Sequence, residues 1–205
     1  RTQGTLIENN EIAHLGYTGI SLGWEWGYTR PSGGGFSVVR GNFVHHIGRH
    51  ELSDMGGIYV LGHAEGTIIE HNTFAYVAPY RMYGWGIYLD EGASGVIARG
   101  NLVLRTRSAS FHQHFGSNNS IVNNVFACAG DADGDLALSI GEAHLSFTLR
   151  RNIVLRCPTD WMDDASTGAP HSAEAEDATP LQAAAVTPTG EVAAIDTTIT
   201  SDAPH

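Results

Sequence analysis

The sequence predicts an all-β fold, a right-handed parallel β-helix of about five to six coils with an irregular C-terminal tail. Two observations indicate it: an Asn between short apolar runs recurs along the chain, and a second β-like run follows most of these Asn units. A repeat period of about 20 to 50 residues is typical of stacked supersecondary units. The chain is also rich in Gly and low in charge, which favours short strands and tight turns over long amphipathic helices.

The recurring Asn is the clearest element of the repeat. Successive copies are 32, 30, 29, 23 and 28 residues apart and lie in segments such as TIIEHNTF and GVIARGNLV. We expect each side chain to stack on the Asn of the next coil and to bond the backbone at a turn, where left-handed geometry is common. Neighbouring coils would then lie about 4.8 Å apart. The members of this structural series are Asn10, Asn42, Asn72, Asn101, Asn124 and Asn152.

The second run supplies a further strand in each coil. A leucine-rich repeat also carries a periodic Asn, but it would need a denser Leu framework and usually a helix. Here the second runs are short, apolar and bounded by Gly, which describes a β-helix coil of two or three strands. They read GISLGW (19–24), GIYVLG (57–62), GIYLDEG (86–92), SFHQHFG (110–116) and ALSIGEA (137–143).

The repeat divides the chain into two regions. Residues 1–157 carry the β-helix pattern, whereas residues 158–205 are rich in Ala, Thr, Pro and acids and are predicted to be irregular or partly disordered. Within that tail, VAAIDTTIT (192–200) could dock on the end of the solenoid, because an open strand edge needs cover. Since the sequence begins inside a repeat and without Met, we expect a fragment of a longer protein.

Charge and cysteine content limit the possible partners. The net charge is -11, with 11 basic residues that are all Arg, and nine of the 22 acids follow Arg156. The β-helix region is therefore close to neutral, and without a basic stripe nucleic acid is not expected as a partner. No apolar stretch reaches the roughly 18 residues of a membrane span. Cys128 and Cys157 lie 29 residues apart, near the repeat period, which fits either a disulfide or two buried free thiols.

Alternation along the second strands predicts an outward face. Ile87 and Leu89 should point into the core, so Tyr88 and Asp90 should point out. The same register makes Asp90 and His114 neighbours on successive coils. It also predicts one outward column that contains Ser21, Tyr59, Tyr88, His112 and Ser139.

This face has the composition of a sugar site. Aromatic rings stack on pyranose faces, and carboxylates and imidazoles bind hydroxyl groups. The predicted substrate-binding residues are Tyr59, Trp85, Tyr88, Glu91, His112, His114, Trp24, Trp26 and Glu142.

Two acids on this face, Asp54 and Asp90, are the predicted catalytic pair. Glycoside hydrolysis needs one protonated carboxyl and one ionised carboxylate, and two nearby carboxylates separate their own pKa values. The sequence does not assign either role. Two structural alternatives remain open: Asp54 could belong to an Asx-turn before Met-Gly-Gly, and Asp90 could simply end a strand. A metal site built from His112, His114 and Asp90 is conceivable, but two His on one strand are a weak signal, so no metal or cofactor is predicted.

Three segments resemble one known group of proteins. LSDMGGIYVLG (52–62), GWGIYLDEG (84–92) and FHQHFG (111–116) are similar to bacterial β-helix proteins related to glycoside hydrolase family 141, which includes α-L-fucosidase and xylanase activities. The resemblance covers roughly residues 4–156. It implies that Asp54 and Asp90 are the catalytic pair and that the protein is exported to the periplasm or the extracellular space. Members of that group are longer, with further N-terminal coils and an added β-domain.

The leading hypothesis is therefore a glycoside hydrolase that acts on a polysaccharide or oligosaccharide. A polysaccharide lyase is the first alternative; it would need a base and a cation to neutralise a uronate, for which His112, Tyr88 and Arg81 are candidates. A β-helix that binds glycan or builds a surface structure without catalysis is the second alternative. Loss of turnover in Asp54→Asn or Asp90→Asn would exclude the last.

Overall fold

The chain forms an all-β parallel solenoid of about five coils, as predicted, and the described residues contain no helix. The computed structural model describes residues 2–28, 34–130 and 135–157, together with the backbone of residues 192–200. Each coil contributes one strand to each of three faces, and strands on a face pair in parallel with those of the coils before and after.

The first face begins with the strand before each ladder Asn. Its strands are Leu6–Glu8 (β1), Val38–Arg40 (β4), Ile68–Glu70 (β7), Ile97–Arg99 (β10) and Asn119–Val122 (β14). The second face follows the Asn and contains Glu11–Ala13 (β2), Phe43–Ile47 (β5), Thr73–Val77 (β8), Leu102–Thr106 (β11) and Val125–Ala127 (β15).

The third face is a separate sheet and carries the candidate site. Its strands are Ile20–Gly23 (β3), Met55–His63 (β6), Gly84–Ser94 (β9), Phe111–Gln113 (β12) and Leu136–Leu138 (β16), and Gly116–Ser117 (β13) pairs with the end of β9. Because β6 and β9 are the longest of these strands, the middle of this sheet is its most extended part.

The Asn ladder forms as predicted. From Asn10 to Asn124, the Nδ2 of each ladder Asn donates to the Oδ1 of the Asn on the next coil over 2.9–3.0 Å, and the same Oδ1 accepts the backbone N–H of the Asn before it. From Asn42 to Asn152 the ladder residues are at most 2% exposed. The residue before each Asn has a positive φ of 52° to 64°, so the turn geometry that we expected is present. Every ladder amide inside the solenoid is thus satisfied.

Alternating apolar side chains fill the interior. Phe74, Phe111 and Phe126 are fully buried, and Val, Ile and Leu residues of all three faces pack with them. Ile87 and Leu89 belong to this core, as alternation predicted. Their burial fixes which side of β9 faces outward, and hence where the site lies.

The last coil is closed by a long strand and a disulfide. Leu145–Leu155 (β17) continues both the first and second faces, and Val192–Thr200 (β18) pairs with it in antiparallel orientation. Cys128 and Cys157 form a disulfide, which decides between the two alternatives that their spacing left open. Residues 158–191 and 201–205 of the predicted tail lie outside the described residues. In the described part of the chain, no helix is long and apolar enough to cross a membrane.

Candidate functional site

The outward surface of β3, β6, β9, β12 and β16, here called the site face, brings most of the predicted residues together. Backbone pairing places Ser21 beside Tyr59, Tyr59 beside Tyr88 and Tyr88 beside His112. The next position of this column is Ala137, so the prediction of Ser139 there is wrong. The intervals between successive Asn residues vary, so the repeat alone could not give the register of β16.

An open cleft of about 450 Å³ lies on the site face. Its walls combine aromatic rings, two imidazoles, one carboxyl and three hydroxyls, which suits a polar ligand with flat apolar faces. The lining residues are Asp54, Tyr83, Trp85, Tyr88, His112, His114 and Ser139.

Stacked rings form one wall of this cleft. The ring centroids of Trp85 and His112 are 4.1 Å apart, and those of Trp85 and Tyr88 are 4.3 Å apart. Tyr83 continues the wall, 5.7 Å from Trp85, and is exposed. Such a rigid row of rings is a surface on which a sugar ring can stack.

Glycine explains how Trp85 reaches the cleft. Strict alternation would send Trp85 inward together with Ile87 and Leu89. However, the missing side chain of Gly86 faces Val103 in the core, and Ile87 also belongs to the core, so two successive residues point inward. This local irregularity turns Trp85 to the site face, where it packs against Tyr88.

Asp54 lies at one edge of the cleft, in the turn before β6. It adopts a left-handed conformation with φ 58°, and its Oδ1 accepts a hydrogen bond of 3.1 Å from the Tyr88 hydroxyl. Although the residue is exposed as a whole, loss of hydration around its carboxyl raises the pKa of Asp54, and the charge of Asp90 raises it further. The Tyr88 hydrogen bond and His114 act in the opposite direction without cancelling this effect.

Asp90 lies behind the cleft wall and is 5% exposed. Its Oδ2 accepts a short hydrogen bond from the Tyr59 hydroxyl, and its Oδ1 lies 3.0 Å from Nδ1 of His114. The predicted contact between Asp90 and His114 on successive coils is therefore present. Glu91 lies further away, with its carboxylate 4.0 Å from the same Nδ1.

Two tyrosines connect the acids. The Tyr59 and Tyr88 rings are 4.4 Å apart, and each hydroxyl donates to one carboxyl group, Tyr59 to Asp90 and Tyr88 to Asp54. Burial raises the pKa of both tyrosines well above the ordinary value, and the two carboxylates add to the effect. Both hydroxyls therefore keep their protons at any physiological pH and act as donors.

His112 is a neutral, buried member of the wall. Its Nε2 lies 2.7 Å from the Ser139 hydroxyl, and its ring stacks on Trp85. Burial lowers the pKa of His112 to about 4, and the charge of His114 adds to the effect. Its Nδ1 is buried without a hydrogen-bond partner, which is a cost to folding that a purely structural position would not need.

A strap, residues 24–28, runs along the solenoid beside the site face. The backbone N–H of Trp24 donates to Leu61 on the second coil, and that of Gly27 donates to Glu91 on the third. Tyr28 then makes a short hydrogen bond to Glu142 near the fifth coil. The strap therefore crosses several coils and borders the side of the site where Asp90 lies.

Three predicted substrate-binding residues lie on or against this strap and do not line the cleft. Trp24 packs on Tyr59 with ring centroids 5.3 Å apart, and Trp26 is 58% exposed. Glu142 accepts from Tyr28 and lies 3.3 Å from His144. Their placement fits an outer rim of the site.

Two residues that line the cleft, Tyr83 and Ser139, were not among the predicted substrate-binding residues. Tyr83 comes two residues before Trp85, and that spacing in the predicted strand could have suggested it. Ser139 was assigned to the face but to the wrong partner row, and its hydroxyl still reaches His112. Among the described residues, no three His, Cys, Asp or Glu side chains converge as a metal site requires.

Comparison with known proteins gives one match. The family model described as "Right handed beta helix region" matches residues 1–159, which is most of the chain. Searches of curated proteins and of solved structures found no match. The parallel three-faced solenoid, its Asn ladder and the family match agree, and the chain belongs to the right-handed β-helix family.

Proposed function

We propose that this protein is a glycoside hydrolase that cleaves a neutral polysaccharide or oligosaccharide, with Asp54 as the proton donor. The observation that carries the proposal is that two carboxyl groups lie close to one cleft in different surroundings, Asp54 in its lining and Asp90 behind its wall. Asp54 has a raised pKa and faces the cleft, whereas Asp90 is held by the hydrogen-bond donors Tyr59 and His114. Environments that separate two carboxyl groups in this way are typical of acid and base pairs in glycosidases.

The cleft wall supports a sugar as the ligand. Trp85, Tyr88 and Tyr83 offer adjoining ring faces, and the hydroxyl of Ser139 with the imidazole of His114 offers polar contacts beside them. The exposed Trp26 on the strap would extend contacts beyond the cleft. Aromatic stacking combined with a few placed polar groups is the usual recognition mode for sugar rings.

The charges around the cleft favour a neutral sugar over a uronate. The β-helix family is common among carbohydrate-active enzymes that include pectate lyases as well as glycoside hydrolases, so both chemistries need consideration. Asp90 and Glu91 lie beside His114, and their negative charge would repel a sugar carboxylate. His112 does not offset this charge, because its lowered pKa keeps it neutral near pH 7.

We propose an exported location for the protein. The disulfide between Cys128 and Cys157 supports it, because disulfides form and persist mainly in the periplasm and outside the cell. A polysaccharide substrate would be found in the same compartments.

The test is an assay of the chain against a glycan panel that includes xylan, fucosylated oligosaccharides and pectin. Reducing-end release and the ultraviolet absorbance of unsaturated products are followed together in wild type, Asp54→Asn and Asp90→Asn. Glu51→Gln is the matched control, because it removes a carboxylate from an exposed residue close to Asp54 in sequence.

We expect reducing ends to be released without the ultraviolet absorbance of unsaturated products. This release should be lost in both Asp variants and kept in Glu51→Gln. Release with absorbance would mean β-elimination and would replace the hydrolase with a lyase. Binding of a glycan without any turnover would favour a non-catalytic role for the site face.

A further inference from the structure

Asp90 is placed to act through another group. It is 5% exposed and does not line the cleft, and each of its two carboxylate oxygens has a partner. A nucleophile that attacks a sugar must reach the anomeric carbon with a free oxygen. The hydrogen bonds from Tyr59 and His114 instead hold the carboxylate behind the wall.

His114 occupies the position between Asp90 and the cleft. Its side chain is 31% exposed and lines the cleft, while its Nδ1 faces the Asp90 carboxylate. A carboxylate can only accept, so Nδ1 carries the proton of this hydrogen bond. On a neutral ring this leaves the lone pair on Nε2, which lies on the opposite edge of the imidazole.

We propose that His114 is the general base of the hydrolase and that Asp90 and Tyr59 are positioning residues behind it. The inference deepens the proposed function and rests on it. Backing an imidazole with a buried carboxylate fixes its tautomer and stabilises the imidazolium that forms during proton transfer. Tyr59 would hold the second oxygen of Asp90, so that the carboxylate cannot rotate away from His114.

The step balances with water as the only co-reactant. Nε2 of His114 takes a proton from water as the water oxygen bonds to the anomeric carbon, and the glycosidic C–O bond breaks. Asp54 gives its proton to the leaving oxygen. Proton exchange with solvent then returns His114 to the neutral form and Asp54 to the acid, and the configuration at the anomeric carbon is inverted.

Charged and aromatic groups surround His114 on the site face. Asp90 contacts its Nδ1 directly, Glu91 lies 4.0 Å from the same atom, and Phe115 packs edge-on against the ring. Asp54 and His112 interact with it electrostatically across the cleft.

The first test needs no substrate. Nitrogen-15 NMR of the imidazoles in the intact chain should show His114 as the Nδ1–H tautomer near neutral pH, and Asp90→Asn should remove this preference. His71→Asn, at an exposed turn outside the site, assists assignment and should leave the His114 signals unchanged. An Nε2–H tautomer in wild type would overturn the proposal, because Nε2 could not then accept a proton.

The second test uses whichever substrate the glycan panel identifies. His114→Gln and Asp90→Asn should each lower kcat/KM by roughly 10²–10⁴-fold. The double variant should be no more than about threefold worse than the poorer single variant, because residues that act as one unit are not additive. Proton NMR of the first product formed by the wild type should show the inverted anomer.

Retention of configuration, or a glycosyl adduct trapped on Asp90, would overturn the inference while leaving the hydrolase intact. If no glycan is cleaved, the hydrolase proposal fails first. The tautomer measurement then still reports whether Asp90 orients His114.

Discussion

Two columns of stacked polar side chains run along this solenoid, and they differ in what their hydrogen bonds achieve. The Asn ladder repeats one residue on every coil, and each amide inside it bonds to its neighbours and the backbone. The column on the site face changes from Ser21 to Tyr59, Tyr88 and His112 at the same coil spacing. One column is uniform and closed, whereas the other is varied and faces a cleft.

The difference separates stability from function within a single fold. Ladder bonds are complete within the protein, so the ladder has no capacity left for a ligand. On the site face, by contrast, the pKa of Asp54 is raised, the pKa of His112 is lowered, and Nδ1 of His112 lacks a partner. Shifted pKa values and unsatisfied polar atoms that cluster at one cleft are typical of functional sites. Substitutions in the two columns should therefore change different properties.

The largest effect is expected for Asp54→Asn, and it should be on activity alone. Asn also tolerates left-handed geometry, so the turn at φ 58° should persist while the proton donor is lost. We expect kcat/KM on a natural glycan to fall roughly 10²–10⁴-fold, with the melting temperature almost unchanged. A 4-nitrophenyl glycoside of the same sugar should lose much less, because its leaving group needs little protonation.

The matched control for this variant is Glu51→Gln, measured with both substrates. An equal loss on both substrates in Asp54→Asn would contradict the assignment of Asp54 as the acid. A large loss of thermal stability would instead favour the alternative that Asp54 only shapes an Asx-turn.

Asn101→Ala should give the opposite result, a loss of stability without a direct effect on the cleft. The substitution leaves the backbone N–H of Asn72 and the carbonyl of Ile69 without their partner inside the solenoid, while the side-chain amide of Asn72 keeps its bond to Val39. With each orphaned buried group costing about 1–3 kcal/mol, the free energy of unfolding should fall by roughly 4 kcal/mol. Chemical denaturation followed by circular dichroism measures this.

Asn10→Ala is the control at the exposed end of the same ladder, and it should cost less than about 1 kcal/mol. Equal losses at both positions would mean that burial does not set the strength of the ladder.

Acidification should expose the cost of a neutral buried His112. Its pKa falls from 6.5 to about 4 on folding, so the unfolded chain binds the proton more readily. The contribution to stability is complete above pH 6.5 and is lost as pH falls toward 4, by at most about 3 kcal/mol. In urea denaturation at a series of pH values, the free energy of unfolding should therefore decline less steeply with falling pH for His112→Gln than for wild type.

The contribution of Asp54 to stability changes with pH in the opposite direction, because a carboxyl whose pKa is raised on folding loses its contribution as pH rises. Because both proteins contain Asp54, its contribution cancels in the difference between the unfolding free energies of wild type and His112→Gln at each pH. Parallel curves for the two proteins would refute the assignment of a lowered pKa to His112.

The sequence was sufficient for the uniform column and only partly sufficient for the varied one. Asn10 to Asn152 repeat one residue at nearly one interval, so stacking and burial follow from the pattern alone. Alternation also placed Ile87 inward and Tyr88 outward, because the core determines the side of each strand.

Details of the site depended on features without a repeat. The outward turn of Trp85 results from Gly86 facing the core, and the row of Ser139 is set by the pairing of β16 with β12. The different surroundings of Asp54 and Asp90 come from contacts between coils, which a single sequence does not specify.

The smallest expected effect concerns the strap, which depends on glycine for its closeness to the site face. Gly62 has φ 82°, and a Cβ there would collide with the backbone carbonyl of Glu25. Gly27 has a similar φ of 73° but open space around it, so Gly27→Ala is a control with the same backbone strain and no collision. Both variants should lose about 1–2 kcal/mol of stability for the left-handed residue.

Only Gly62→Ala should displace the strap, with faster deuterium uptake in a peptide that covers residues 24–28 and a KM for glycan raised a few-fold. The same uptake in the two variants would mean that the strap does not rely on this contact, and Trp24 and Trp26 would then be held at the rim by other parts of the chain.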